Sequence, residues 1–254
     1  MKGQKKILVL IHGMWGTKKF WRNYIEYFQK RGYKCIAVSL PYHDQISNDQ
    51  VGSISIQEYV EYIQKEIKKL GKPVTVIGHS MGGLIAQKIA ELEPTLVEST
   101  VLITPASPRG IFAITPSVLR SFSSVLFRWG FWNKSHKLTL KKAVYAMLHI
   151  MPEKEHKRIY KSFVKESGRA AFEIGFWLFD RKKTTQVNAK KVSQPMLVIA
   201  GREDRITPAS VVKKIAKRYK NATYKSYPNH AHWITQEPGW KVIASDIDDY
   251  LKTT

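Results

Sequence analysis

Only one cysteine, Cys35, occurs in the 254 residues. A disulfide framework within the chain is therefore excluded, and a reducing compartment is the simple expectation. Cys35 lies in the apolar run KCIAVSL, where a small buried thiol is expected rather than a reactive one. Long apolar runs are also missing. The N-terminal MKGQKK is basic, but the run behind it, ILVLI, is short for a signal-peptide core and leads into a glycine turn. No stretch approaches the ~18 apolar residues of a membrane span, so a cytoplasmic protein is expected. Acidic residues are scarce: 20 Asp and Glu against 42 Lys and Arg leave a net charge of +22. Residues 105–195 hold 18 of the basic and 5 of the acidic side chains, so about a third of the chain carries more than half of the excess. A solvated lysine-rich surface explains this, and weak attraction to an anionic membrane or substrate is the alternative. Zinc-finger spacings, RNP-like motifs and KH-type loops are absent, so nucleic acid is not expected as a partner.

What the chain does have is alternation. Apolar runs at 6–11, 33–40, 72–78 and 98–105 read as strands, and amphipathic segments separate them. In SIQEYVEYIQKEIKKLG the apolar residues fall at 56, 59, 60, 63, 67 and 70, a helical period, and Ser55 with Glu58 predicts a capping box. Residues 105–193 break the pattern: four helical stretches and no convincing strand. Alternation then resumes with strands at 194–201 and 222–228. Between them Thr207 is expected to cap a helix started by Pro208. A closing helix puts Ile243, Ile247, Tyr250 and Leu251 on one face. This predicts an α/β fold with a doubly wound, mostly parallel six-stranded sheet, formed by residues 1–104 plus 194–254 and interrupted by an all-helical insertion at 105–193.

One motif carries specific chemistry. GHSMGG at 78–83 is G-x-S-x-G where a strand meets a helix. A serine at the tip of so tight a turn needs small residues two before and two after it, and its hydroxyl is then lifted above the sheet beside a helix N-terminus. A hydroxyl nucleophile needs a base, and the base needs an orienting carboxylate. Carboxylates follow the fifth strand at Glu203 and Asp204. Histidines follow the sixth at His230 and His232. Proximity to the same sheet edge does not choose within either pair.

These motifs, in this order, resemble the α/β-hydrolase family, in particular its single-domain esterases and lipases with a helical cap. The resemblance spans nearly the whole chain and is least specific in the cap. Relatives commonly carry two further strands ahead of KILVLIHG; this chain begins too late for them, which is why six strands are expected. The resemblance implies Ser80 as nucleophile and Asp204, in the G-x-x-D pattern before a proline-started helix, as the acid. It implies His232 as base, since a small residue, here Ala231 in place of the usual glycine, precedes it and an acid–proline pair follows. Glu203 and His230 remain the fallbacks. His230 otherwise reads as a loop hydrogen-bonder or a pocket-rim residue. The HG pair before Met14 is similar to the family's oxyanion loop, which implies the backbone N–H groups of Met14 and Met81 as oxyanion donors. His12 and His43 are read as structural, and His79 as pointing away from Ser80. Trp15 is a candidate wall of the substrate pocket, and some of the cap's many aromatic rings are candidates to line it.

The leading expectation is a serine hydrolase of carboxylic esters with apolar acyl chains, monoacylglycerol-like, needing no cofactor and no metal. His136, His149 and His156 in the insertion lack the partners a metal site would need. The same groups could serve thioester, amide or carbon–carbon hydrolysis, acyl transfer or perhydrolysis, and a non-catalytic ligand-binding member of the fold is the other class. Relatives that open epoxides or remove halogens carry Asp where Ser80 stands.

Overall fold

The computed structural model describes residues 6–44 and 48–254. Its centre is the sheet the apolar runs predict. Strand β1 (Ile7–Ile11) is buried throughout, followed by helix α1 (Arg22–Gln29) and strand β2 (Lys34–Val38). Helix α2 (Ile56–Leu70), β3 (Val74–His79), α3 (Met81–Leu92) and β4 (Val97–Ile103) continue the alternation. After the insertion come β7 (Met196–Gly201), α8 (Ala209–Ala216), β8 (Ala222–Tyr227) and α9 (Trp240–Thr253). The six strands pair in parallel in the order β2-β1-β3-β4-β7-β8. β1, β3 and β7 are buried on both faces, as unbroken apolar strands in a parallel sheet must be, while the edge strands β2 and β8 are half-exposed. Cys35, on edge strand β2, is accordingly half-buried rather than buried, and burial still pushes its thiol up to about 11.

The insertion is helical: α4 (Pro116–Leu126), α5 (Leu140–Ala143) running into a π-helical turn at Val144–Leu148, α6 (Glu153–Lys161) and α7 (Gly168–Gly175). It holds one element that no pattern announced. Ser135–His136 (β5) and Glu166–Ser167 (β6) form a two-residue antiparallel ribbon, so the insertion is not purely helical. Two residues are too few for a strand period to show. The ribbon ties the insertion to the core, where the Ser167 hydroxyl lies 2.6 Å from the carbonyl of Ile54 and 3.2 Å from that of Gly52. Glu173 on α7 makes a second tie. Its buried carboxylate accepts the Ile56 N–H at the start of α2 (2.8 Å) and Arg169 Nε–H (2.8 Å).

Helix α8 starts one residue later than expected. Pro208 takes the capping position, and the Thr207 hydroxyl turns away from the helix. The capping box of α2 forms as its spacing predicts. Ser55 Oγ accepts the Glu58 N–H (3.2 Å), Glu58 Oε2 accepts the Ser55 N–H (2.9 Å), and Gly71 closes the helix at φ +60°. Replacing Ser55 by alanine is expected to cost about 1 kcal/mol, read as a lower denaturant midpoint at unchanged slope; an unchanged midpoint would show that tertiary contacts alone hold the first turn.

Candidate active site

Ser80 joins β3 to α3 with φ +54° and ψ −120°, a conformation costing of the order of 1–3 kcal/mol. Glycines make it possible. A Cβ on Gly78 would collide with the Gly82 carbonyl, and one on Gly82 with the Ile11 carbonyl. On Gly13 it would sit 2.7 Å from Ser80 Cβ. The loop after β1 therefore lies directly against the turn. Backbone bonds fix it: Ser80 N–H donates to Ile103 (3.0 Å), and the Ser80 carbonyl accepts the N–H groups of Gly83, Leu84 and Ala106.

The loops after β7 and β8 bring two side chains to that turn. His232 Nε2 lies 2.9 Å from Ser80 Oγ, and His232 Nδ1 lies 2.8 Å from Asp204 Oδ2. Nδ1–H donating to the carboxylate leaves Nε2 as an acceptor for the serine hydroxyl. Asp204 is saturated, since Oδ1 accepts the N–H groups of Ile206 (2.7 Å) and Thr207 (2.9 Å). Thr207 Oγ1 stands 2.8 Å from Asp204 Oδ2 and 3.0 Å from the Thr104 carbonyl, so the residue expected to cap α8 orders the acid instead. The neighbours face elsewhere. His230 Nδ1 is 3.2 Å from the buried Glu237, which also accepts the Ala231 N–H, and Glu203 reaches the Asn229 N–H. His79 does more than point away: its Nε2–H donates to the His232 carbonyl (2.8 Å), bracing the backbone of that loop.

Met14 and Met81 line the cavity in front of Ser80. Among the described residues neither backbone N–H has an acceptor, and that of Met81 opens α3, where the helix dipole favours negative charge. His12 is structural: Nδ1–H donates to the Gly13 carbonyl (2.8 Å) and Nε2 accepts the Leu40 N–H (3.1 Å). Burial, aided by neighbouring His43, brings its pKa down to about 3, so it stays neutral.

The cavity measures about 170 Å³ and is almost wholly apolar. The buried Trp15 lines it, 5.6 Å from the ring of Phe122 on α4. Phe122, Phe176, Leu126 and Ile174 also line it, as do Trp177 and the exposed Phe112, Leu119 and Phe179. The other cap rings divide. Phe131, Trp132 and Phe172 pack with Phe176 inside the cap, whereas Phe127 and Trp129 are 90% and 87% exposed.

The comparisons with known proteins agree with this architecture. The model of a family described as alpha/beta hydrolase fold matches residues 6–237. The chain is 24% identical, over all of its length and 93% of the relative's, to the (E)-2-((N-methylformamido)methylene)succinate hydrolase of Acinetobacter baylyi. It is 28% identical, over 91% of this chain and 89% of the relative, to the pimeloyl-[acyl-carrier protein] methyl ester esterase of Legionella pneumophila. A crystal structure of the monoacylglycerol lipase of Paleococcus ferrophilus superposes with a TM-score of 0.72 at 25% identity, covering 96% of this chain and 93% of that one.

One buried charge pair lies behind the Gly13–Trp15 loop. His43 Nε2 is 3.0 Å from Glu166 Oε2, and both side chains are fully buried. Burial opposes the charge on His43, but Glu166 and the carbonyls of Pro41 and Leu40 outweigh it and hold its pKa above the ordinary 6.5. Burial likewise opposes the charge on Glu166, yet His43 and the donors around it hold this carboxyl below the usual range. The other titratable groups facing the pair are the neutral His12, its ring 5.1 Å from that of His43, Tyr59, whose hydroxyl donates to Glu166, and His136, paired with Glu166 across the ribbon and held down to about 4 by burial. A raised folded-state pKa contributes stability that is complete below about pH 6.5 and is lost as pH rises through the folded value. The Tm advantage of the native protein over His43→Gln is therefore expected to be largest on the acid side of neutrality and to shrink toward alkaline pH. A gap that widens with pH would show that His43 is neutral in the folded protein.

Proposed function

Because the chain belongs to the alpha/beta-hydrolase fold family and is a carboxylic ester hydrolase of the esterase and lipase type, we propose that Ser80, His232 and Asp204 are its catalytic residues. The observation that carries this is the unbroken relay of 2.9 Å and 2.8 Å contacts from the strained serine to a saturated carboxylate. Ser80 Oγ attacks the ester carbonyl carbon while His232 Nε2 takes the hydroxyl proton. The carbonyl oxygen becomes an oxyanion held by the Met14 and Met81 N–H groups. As the tetrahedral intermediate collapses, His232 returns the proton to the leaving alcohol. A water molecule, deprotonated by the same ring, then attacks the acyl-enzyme, releasing the acid and restoring Ser80.

The substrate class follows from the wall chemistry. A cavity near 170 Å³, lined almost wholly by aromatic and aliphatic groups, compares with the roughly 150 Å³ that holds benzene and suits the first six or so carbons of an acyl chain. Longer chains would extend along Phe112 and Phe179, which are 64% and 72% exposed. Apolar esters of medium chain, with a small alcohol such as glycerol, fit best. The same exposed rings, with Phe127 and Trp129 flanking Arg128 in the chain, support contact of the basic cap with an anionic lipid surface.

Ser80→Ala and His232→Ala are expected to lower turnover of nitrophenyl esters by about 10⁴-fold or more, and Asp204→Asn by about 10⁴-fold. His230→Ala and Glu203→Gln should leave turnover within about tenfold of native. A dead His230→Ala beside an active His232→Ala would overturn the assignment. Across a chain-length series, kcat/KM should peak near six to ten carbons, at about ten times the acetate value or more; preference for acetate would remove the acyl-pocket reading. Co-sedimentation with anionic but not neutral vesicles, weakened by salt, is expected for the cap; equal binding to both, or none, would discard the lipid contact.

A further inference from the structure

We infer that Glu166, a residue of the cap, positions the Met14 N–H by clamping the backbone of Trp15, so that the oxyanion site is complete only when the cap is seated. The inference rests on the serine esterase reading, since it takes Met14 as an oxyanion donor.

Three consecutive peptide planes lead from Gly13 to Gly16. In the first, the Gly13 carbonyl accepts His12 Nδ1–H at 2.8 Å and the Gly16 N–H at 3.2 Å. The Met14 N–H lies trans to that carbonyl, so fixing one aims the other. In the second plane the Trp15 N–H donates to Glu166 Oε2 at 3.3 Å. In the third the Trp15 carbonyl accepts the Val164 N–H at 3.0 Å. Core groups pin the first plane, the cap alone pins the second, and both hold the third, whose Gly16 N–H reaches the Gly13 carbonyl. The clamp has something to resist: Trp15 sits at φ +60°, a left-handed conformation that costs a bulky residue about 1–2 kcal/mol. Released, it would relax toward negative φ and rotate the plane next to Met14.

Glu166 is built for holding rather than for chemistry. Oε1 accepts the Tyr59 hydroxyl (2.9 Å) and the Ser167 N–H (2.7 Å), while Oε2 accepts His43 Nε2–H (3.0 Å) and the Trp15 N–H. Every lone-pair direction is used. The imidazolium of His43 also balances the carboxylate's charge. An unbalanced anion this close would oppose the negative charge that develops on the substrate oxygen, so the pairing lets a carboxylate stand behind an anion-binding loop.

Glu166→Gln tests it, with two readouts. Kinetically, kcat for nitrophenyl hexanoate should fall about ten- to a hundredfold with KM within about threefold, and inhibition by an alkyl boronic acid, which forms a tetrahedral adduct on the serine, should weaken by a like factor. Structurally, amide hydrogen exchange in the peptide containing residues 12–16 should accelerate about tenfold or more. Either readout left unmoved in a folded variant overturns the inference, including a rise in KM at retained kcat. If Glu166→Gln does not fold, Tyr59→Phe removes one donor from the same carboxylate without stranding a charge. It should lower kcat about two- to fivefold at constant KM with faster exchange in the same peptide, and the absence of either change overturns the inference. A native protein inert toward every ester would fail the esterase reading alone, because the exchange measurement still decides whether Glu166 holds the loop.

Discussion

Everything at the candidate site depends on how closely three pieces of backbone approach one another. The end of β3, the start of α3 and the loop after β1 meet at Gly78, Gly82 and Gly13, and at each a single methyl group would strike backbone or Ser80 itself. That proximity forces Ser80 into its positive-φ conformation and, by the same geometry, brings Met14 and Met81 to line one cavity with it. The strain is local, and it is held by four backbone hydrogen bonds from β4, α3 and the loop beyond β4. A rigid, buried parallel sheet is what allows such a turn to persist.

The sheet does a second thing. In a parallel sheet the carboxyl ends of all strands lie along one edge, so loops leaving β1, β3, β7 and β8 converge although they are far apart in sequence. Asp204 and His232 reach Ser80 for that reason. This much was legible in the chain, because it follows from features that sequence records directly: unbroken apolar strands, glycines at fixed offsets and acids just past a strand end. The choice between adjacent residues was legible only through family resemblance. In the structure the candidates differ in their partners. Glu237 engages His230, and Asn229 engages Glu203, leaving His232 and Asp204 to face each other.

What the sequence concealed are contacts between residues distant in the chain and without pattern. Thr207 looks like a helix cap by position, but Pro208 takes that place and the threonine hydroxyl sits against Asp204. His79 and His43 were legible as structural, not as the brace of the His232 carbonyl or as the partner of Glu166. Glu166 itself had no signature: one acid in a basic insertion, on a ribbon too short to register. A spare carboxylate amid so many lysines was the only hint, and it pointed as readily to the surface.

Two acids of the insertion, Glu166 and Glu173, are fully buried where they meet the core, and each satisfies donors that belong to the core. A different lid seated in its place without these carboxylates would bury the Tyr59 hydroxyl, the His43 imidazole and the first N–H of α2 unpaired, at about 1–3 kcal/mol for each. Several such losses would consume much of the 5–15 kcal/mol by which a domain is stable. The cap is thus not an ornament that evolution or an engineer could exchange freely. A transplanted lid would need carboxylates at the same two depths, or the scaffold beneath it would have to be rewritten with it.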